Sequence, residues 1–310
     1  MAVQSTYTPL GLIVDSRLKT HQTSASQMSG LFQTVFFSVL LLITICNYFT
    51  LNDLRRQSDL DPHFLTIPHP NIYESNQMKE MRRTAFLTAE ADRQILLEAS
   101  KGKDHKDFYK KVKMEAYCDK KERIGEHTDG GKYVCNPKKV KKDCTLISLG
   151  LNNQIGYDKH IFDVTGRQCT ILGADKGAQK QETIDSYSAM NGGQLFVGKI
   201  PDELTILKMM ERAGRNEVEL LKIDIEGGEH TGLEPLIKDY YVCQIFIEIH
   251  GSPAEHLSML RTMAKYGFRL FNIDPNPVCV GCCEYSLINE MCMAQYEVVP
   301  LATTIPMKDE

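Results

Sequence analysis

Acidic residues and glycines at the ends of apolar runs are the places in this 310-residue chain where chemistry could be done. The clearest is Leu220–Glu229, LLKIDIEGGE: an apolar run, as a strand buried on both faces reads, that turns polar at Asp224, Glu226, Gly227, Gly228 and Glu229. In an open parallel sheet, ligands bind outside the carboxyl ends of the strands, so a strand ending in carboxylates before a Gly-Gly turn is a candidate site. Adjacent carboxylates there could accept hydrogen bonds from a ligand, hold a divalent metal or serve as a general base. A plainer reading makes Glu226 a cap of the next helix. A second acidic strand end, FIEIHG, carries Glu248 and His250. A neutral histidine at that point could take a hydroxyl proton, or it could be a structural residue bonded to a loop.

Two further strand ends suit a nucleoside. CTLISLGLNNQIG places Gly150 and Gly156 around Asn152 and Asn153, a turn whose N–H groups could approach an anionic ligand, although the spacing is not G-x-G-x-x-G. Asp175 ends the next strand, 25 residues after Gly150, where an acid pairs with ribose hydroxyls in dinucleotide-binding sheets. Both features also occur at ordinary strand ends.

The elements that would position these residues alternate. Strands are expected at Cys144–Leu149, Cys169–Ala174, Gln194–Ile200, Val218–Ile225 and Val242–Ile249. Helices are expected over Tyr157–Gly166, Asp202–Ala213 with Asp202 as N-cap, Glu229–Asp239 and Pro253–Tyr266. This alternation implies a mostly parallel, doubly wound α/β sheet. Phe268–Ile273, Glu284–Ile288 and Gln295–Pro300 follow without helices between them and should pair antiparallel at one edge. Ahead of the sheet, Gln77–Ser100 has helical apolar spacing, Lys106–Tyr117 reads as a lysine-rich helix, and Cys118–Cys135 as a loop or short hairpin.

Leu31–Phe49 is an uncharged run of 19 residues, near the ~20 that span a bilayer. It is expected to be a transmembrane helix or signal-anchor. Arg17 and Lys19 on one side balance Arg55 and Arg56 on the other, so orientation is nearly tied. The expected organisation is a disordered tail over 1–30, the anchor over 31–49, a stem over 50–76, a helical and cysteine-containing lead-in over 77–143, the sheet domain over 144–301 and a tail over 302–310. Nine of the ten cysteines follow the anchor. In an oxidising lumen they would form disulfides with one left over; CVGCC with Cys292 could instead bind zinc, or the thiols could stay reduced and buried. The net charge of −4 gives no case for nucleic-acid binding.

KIDIEGGE, IFIEIHG and GFRLFNIDPNP together resemble the FkbM-related methyltransferases. The amino-terminal run, the segment from Cys118 through Ile124–Gly125 to DGGKYVC, and ISLGL make the resemblance narrower, to the methyltransferase-like membrane proteins of the type 22/24 kind. It covers approximately residues 115–300. It implies a Rossmann-like, seven-stranded fold with a reversed last strand, S-adenosylmethionine as cofactor, and O-methylation of a hydroxyl on a small molecule or glycan. Carried over, Gly150 and the Asn152–Gly156 loop, with Asn153, would touch the methionine part, Asp175 the ribose, and Asp224 the sulfonium and acceptor. Asp224, His250 and Glu248 would be the catalytic candidates, with no resident metal. The expected setting is the endoplasmic reticulum or Golgi membrane, attached through 31–49 with the domain lumenal. Two rivals remain: an inactive, membrane-tethered interaction module, suggested by the altered glycine turn, and a Golgi-type glycosyltransferase, in which D-I-E at Asp224–Glu226 would hold a metal.

Overall fold

The computed structural model describes residues 38, 39, 41, 43, 44, 74–127 and 130–307. The chain divides into two units, Met1–His63 and Phe64–Glu310. In the first, the described residues are helical and exposed. Among the described residues no helix is long and apolar enough to cross a membrane. The expected tail over 1–30, most of the run at 31–49 and most of the stem lie outside them.

The second unit is built on a seven-stranded sheet. Its strands are β4 (Thr145–Leu149), β5 (Thr170–Asp175), β6 (Gln194–Val197), β7 (Glu217–Ile223), β8 (Tyr241–His250), β9 (Phe268–Pro275) and β10 (Cys282–Asn289), in spatial order β6-β5-β4-β7-β8-β10-β9. The pairs β6–β5, β5–β4, β4–β7 and β7–β8 are parallel. Only β10 runs against its neighbours, inserted between β8 and β9. The expected mostly parallel α/β sheet with a reversed last strand is present. The third closing strand is not part of it: Gln295–Pro300 yields only β11 (Val299–Pro300), which pairs with β1 (Ala116–Tyr117) apart from the sheet.

Alternation along the strands sends successive side chains to two apolar layers. Ile147, Leu149, Ile245 and Ile247 enter one layer with Leu96 and Phe108; Leu146, Leu220 and Phe246 enter the other with Ile161 and Tyr187. The first layer is covered by α1 (Asn76–Ser100), capped by Ser75, and α2 (His105–Lys111), capped by Asp104. The expected continuation of α2 to Tyr117 fails because Val112 turns extended and Glu115 bonds across to Leu270 and Leu301. The buried Glu115 carboxylate accepts N–H groups from Thr304 and Ile305, so 302–305 lie packed in the core where a tail was expected.

The remaining helices are α3 (Gly156–Val164), α4 (Gln181–Ala189), α5 (Ile206–Ala213), the short α6 (Glu229–Gly232) and α7 (Glu234–Asp239), and α8 (Pro253–Lys265). Sequence reading misses α4 because its segment, QETIDSYSA, buries only Thr183 and Tyr187. It also misplaces the cap of α5. Thr205 accepts the Lys208 N–H, while the Asp202 carboxylate is taken by Lys199 at 2.7 Å. The lead-in loop is a hairpin of β2 (Lys121–Ile124) and β3 (Lys132–Cys135).

Among the described residues, disulfides join Cys118–Cys135, Cys144–Cys169, Cys243–Cys292 and Cys279–Cys282, leaving Cys283 as a buried thiol. The zinc reading of CVGCC with Cys292 is thereby corrected: Cys279 and Cys282 are oxidised to each other, and Cys292 to Cys243.

Leu96 is fully buried, whereas Leu87 on the same helix is 72 % exposed. Leu96→Ala is expected to cost about 2–5 kcal/mol in denaturant unfolding, against roughly 0.5 kcal/mol or less for Leu87→Ala.

Candidate active site

The register puts the strand tips in one row. Leu149 lies opposite both Ala174 and Ile223, and Ile223 opposite Ile247. The next residues are therefore Gly150, Asp175, Asp224 and Glu248, and Glu284 on β10 faces Glu248 directly. The chain order reverses between β4 and β7, which is the topological switch point at which such sheets bind ligands.

Gly150 closes this row. It has φ +77° and donates its N–H to Ala174 O at 2.9 Å. A Cβ there would sit 1.7 Å from the Asp224 carbonyl oxygen, so no other residue fits between the two tips. Beyond it the chain turns through two left-handed residues, Asn152 (φ +44°) and Asn153 (φ +59°), a conformation asparagine tolerates better than most. Asp175 ties this turn to its own loop: Oδ2 accepts from Asn152 N and Oδ1 from Gly177 N, each at 2.8 Å. Asn153 binds outward, accepting from Lys180 N at 2.6 Å and donating its own N–H to Gln179 at 2.8 Å.

These tips surround a cleft of about 300 Å³, within the size range of small-molecule sites. Gly150, Leu151 and Asn152 form one wall, Asp175 and Lys176 another, and Lys222, Asp224 and Glu226 a third. Gly150, Asn152, Asp175 and Asp224 thus meet as the sequence suggested. Asn153 and Gly156 do not reach the lining: Asn153 is committed to the Gln179–Thr183 segment, and Gly156 begins α3 against Glu126.

Beside Asp224 lies a second group. Oxygens of Asp224, Glu248 and Glu284 come within 4.8 Å of one another, as do ligating atoms of Asp224, Glu226 and His250. Like charges directly opposed across strands repel. Two buried lysines offset them. Lys132, brought in by β3, forms a very short ion pair with Glu284 and lies 3.9 Å from Asp224. Lys222 donates to Gly150 O at 3.3 Å, and its burial pushes the ammonium below its ordinary value. Burial, with Glu284 and Asp224 beside it, pushes the Glu248 carboxyl up to about 7. Burial likewise raises Glu284, against the pull of Lys132.

His250 is held by two carboxylates. Its Nδ1 lies 2.9 Å from Glu229 Oε1 and its Nε2 3.5 Å from Glu226 Oε2. The Glu229 bond raises its pKa to about 9, against the effect of burial. The raised pKa favours the imidazolium, and the two carboxylate partners hold His250 as the structural, loop-bound residue that its strand-end position also allowed. Glu229 is fully buried and also accepts Gly227 N at 2.9 Å, so with His250 it fixes the Gly-Gly turn.

Lys222 and Lys132 escaped the sequence reading, although a lysine inside the apolar run LLKIDI was a legible signal. Lys132 was not legible: its role depends on a hairpin folding over the strand tips.

The sequence over residues 105–270, just over half of the chain, matches the methyltransferase FkbM domain. The chain belongs to that family. No curated protein matches the chain in sequence. Among solved structures, fibrillarin of Aeropyrum pernix, in complex with natively bound S-adenosyl-L-methionine, is 12 % identical, with 48 % of this chain and 68 % of that one covered and a TM-score of 0.37. An S-adenosylmethionine-dependent methyltransferase of Aquifex aeolicus is 14 % identical, with 50 % and 90 % covered and a TM-score of 0.30. A putative rRNA methylase of Clostridium thermocellum is 13 % identical, with 49 % and 90 % covered and a TM-score of 0.33. The family assignment rests on the sequence match, and it places the protein among methyltransferases. The glycosyltransferase alternative is overturned by it.

A raised histidine pKa stabilises the fold fully below the unfolded value near 6.5 and ceases to do so as pH rises through about 9. Unfolding free energy is therefore expected to decline across that window. Glu229→Gln should return the His250 midpoint toward ~6.5 in an NMR titration. Lys132→Met, which strands Glu284, is expected to cost about 3–5 kcal/mol in denaturant unfolding.

Proposed function

We propose that the protein transfers a methyl group from S-adenosylmethionine to a hydroxyl group of a small molecule or glycan. The observation that carries this reading is the meeting of Gly150, Asp175 and Asp224 around one cleft at the switch point of a sheet in the FkbM methyltransferase family. The donor set suits the cofactor. Each Asp175 oxygen spends one acceptor site on a backbone N–H, and a carboxylate oxygen has two, so both can still accept ribose hydroxyls. The Gly150–Asn152 turn and Lys176 suit the methionine end. Bound there, the cofactor would supply an electrophilic methyl group.

The protein's own part is to orient the acceptor and remove one proton. Holding the reactants in line accounts for much of the acceleration. Of the carboxylates beside the cleft, Glu248 has the pKa that suits a general base near neutral pH. Asp224 lines the cleft beside Glu248 and is placed to accept a hydrogen bond from the acceptor. His250, paired with Glu226 and Glu229, has a positioning role in this reading.

Four disulfides favour an oxidising compartment. In this reading the uncharged run at 31–49 is the membrane attachment, and deleting it should release the protein from membranes; retention after deletion would refute that attachment.

Calorimetry on the full chain tests the reading. S-adenosylmethionine should bind at one site per chain, and Asp175→Ala should weaken it by about 10- to 100-fold. With an acceptor found by screening polyols and sugars, Glu248→Gln should lower turnover about 10²- to 10⁴-fold while cofactor affinity holds. Absence of cofactor binding would overturn the proposal.

A further inference from the structure

The loop between β9 and β10 reaches the acidic cluster. Asn276 Nδ2 donates to Glu248 Oε1 at 3.0 Å. The other end of the same amide is held: Asn276 Oδ1 accepts Val278 N at 3.0 Å and Cys279 N at 3.3 Å. Those two N–H donors fix which end of the amide faces Glu248, since only its nitrogen can then point at the carboxylate. Cys279, which supplies one of them, is tied to Cys282 by a disulfide, and Cys282 Sγ lies within 4.8 Å of ligating atoms of Glu248 and His250. This bridge differs from the others. The remaining six half-cystines are buried, whereas Cys279 is partly exposed between Val278 and Val280, which are 86 % and 62 % exposed.

We propose that Asn276 is a positioning residue for Glu248, and that the Cys279–Cys282 disulfide holds it in place, so that a dithiol reductant controls the catalytic carboxylate. The proposal rests on the reading of Glu248 as the base. The step is an exchange. A small dithiol attacks the bridge and leaves as its cyclic disulfide, and Cys279 and Cys282 each gain a proton; two electrons pass from the dithiol to the bridge. Cys279 N is then free to leave Asn276, and the amide can turn from Glu248. Around Glu248 the other facing groups are Asp224 just beyond β7, Glu284 on β10, His250 on its own strand, Lys132 on β3 and Tyr109 on α2. Of all these, Asn276 alone donates a neutral hydrogen bond, which favours the ionised carboxylate.

Two measurements on the full chain test this. Native treatment with dithiothreitol followed by alkylation and mass spectrometry should label Cys279 and Cys282 and spare the other three bridges. The Glu248 carboxyl, assigned by its loss in Glu248→Gln, is titrated by ¹³C NMR. Asn276→Ala should move its midpoint above about 7, reduction of the wild type should move it the same way, and reduction of Asn276→Ala should add nothing. Asn276→Gln should recover part of the wild-type midpoint. An unmoved midpoint in Asn276→Ala, an equal effect of reduction with and without Asn276, or a bridge that resists dithiothreitol would each overturn the proposal. If Asn276→Ala does not fold, reduction of the wild type alone decides it. Loss of the base reading shows separately, as unchanged turnover in Glu248→Gln.

Discussion

The contact between the tips of β4 and β7 governs this site. Gly150 and the Asp224 carbonyl stand so close that a methyl group between them would overlap the oxygen. Only because residue 150 has no side chain can Asp224 N donate to Leu149 O at 3.3 Å and the two strands stay paired to their ends. That pairing sets the level of the whole row. Asp175 arrives beside it through β5, Glu248 through β8, and Glu284 through the reversed strand. Moving the β4 tip by one residue would present Leu151 in place of Gly150 and fill the cleft with an apolar side chain.

The row has an electrostatic consequence. Three of its carboxylates, Asp224, Glu248 and Glu284, with no lysine on the neighbouring sheet tips other than Lys222, would leave a strongly repulsive centre. The hairpin of β2 and β3 resolves this from outside the sheet by inserting Lys132, whose side chain is 1 % exposed. A buried ion pair of this kind adds little stability over an apolar pair, and its removal on one side is costly. It is therefore better understood as a device that allows acids to gather than as a source of stability. The same crowding raises the Glu248 carboxyl to about 7, while the Glu229 contact raises the His250 imidazole. Carboxylates on neighbouring strands are thus given different work by their surroundings.

Much of this was legible in the sequence. Continuous apolar runs ending in a glycine turn or in acids located β4, β5, β7 and β8, and pointed to Gly150, Asp175 and Asp224 as a common site. The losses have identifiable causes. The environment of His250 depends on Glu229, 21 residues earlier on a different element, so no local pattern reports it. Helix α4 lacks an apolar stripe because a single tyrosine, Tyr187, anchors it beneath Gly173 and bonds to Asp158 at 2.6 Å. The packing of 302–305 comes from one buried carboxylate, Glu115, nearly 190 residues earlier. Each of these is a long-range pairing of polar groups, which hydrophobic periodicity does not encode.

The central claim is that the tips of β4, β5 and β7 form one nucleoside pocket. Amide hydrogen exchange on the full chain, with and without S-adenosylhomocysteine, addresses it most directly. The account predicts slowed exchange in three separate stretches together, around Gly150–Asn152, Asp175–Gly177 and Asp224–Gly228. Protection of one stretch alone, or of none while the ligand binds elsewhere, would contradict it.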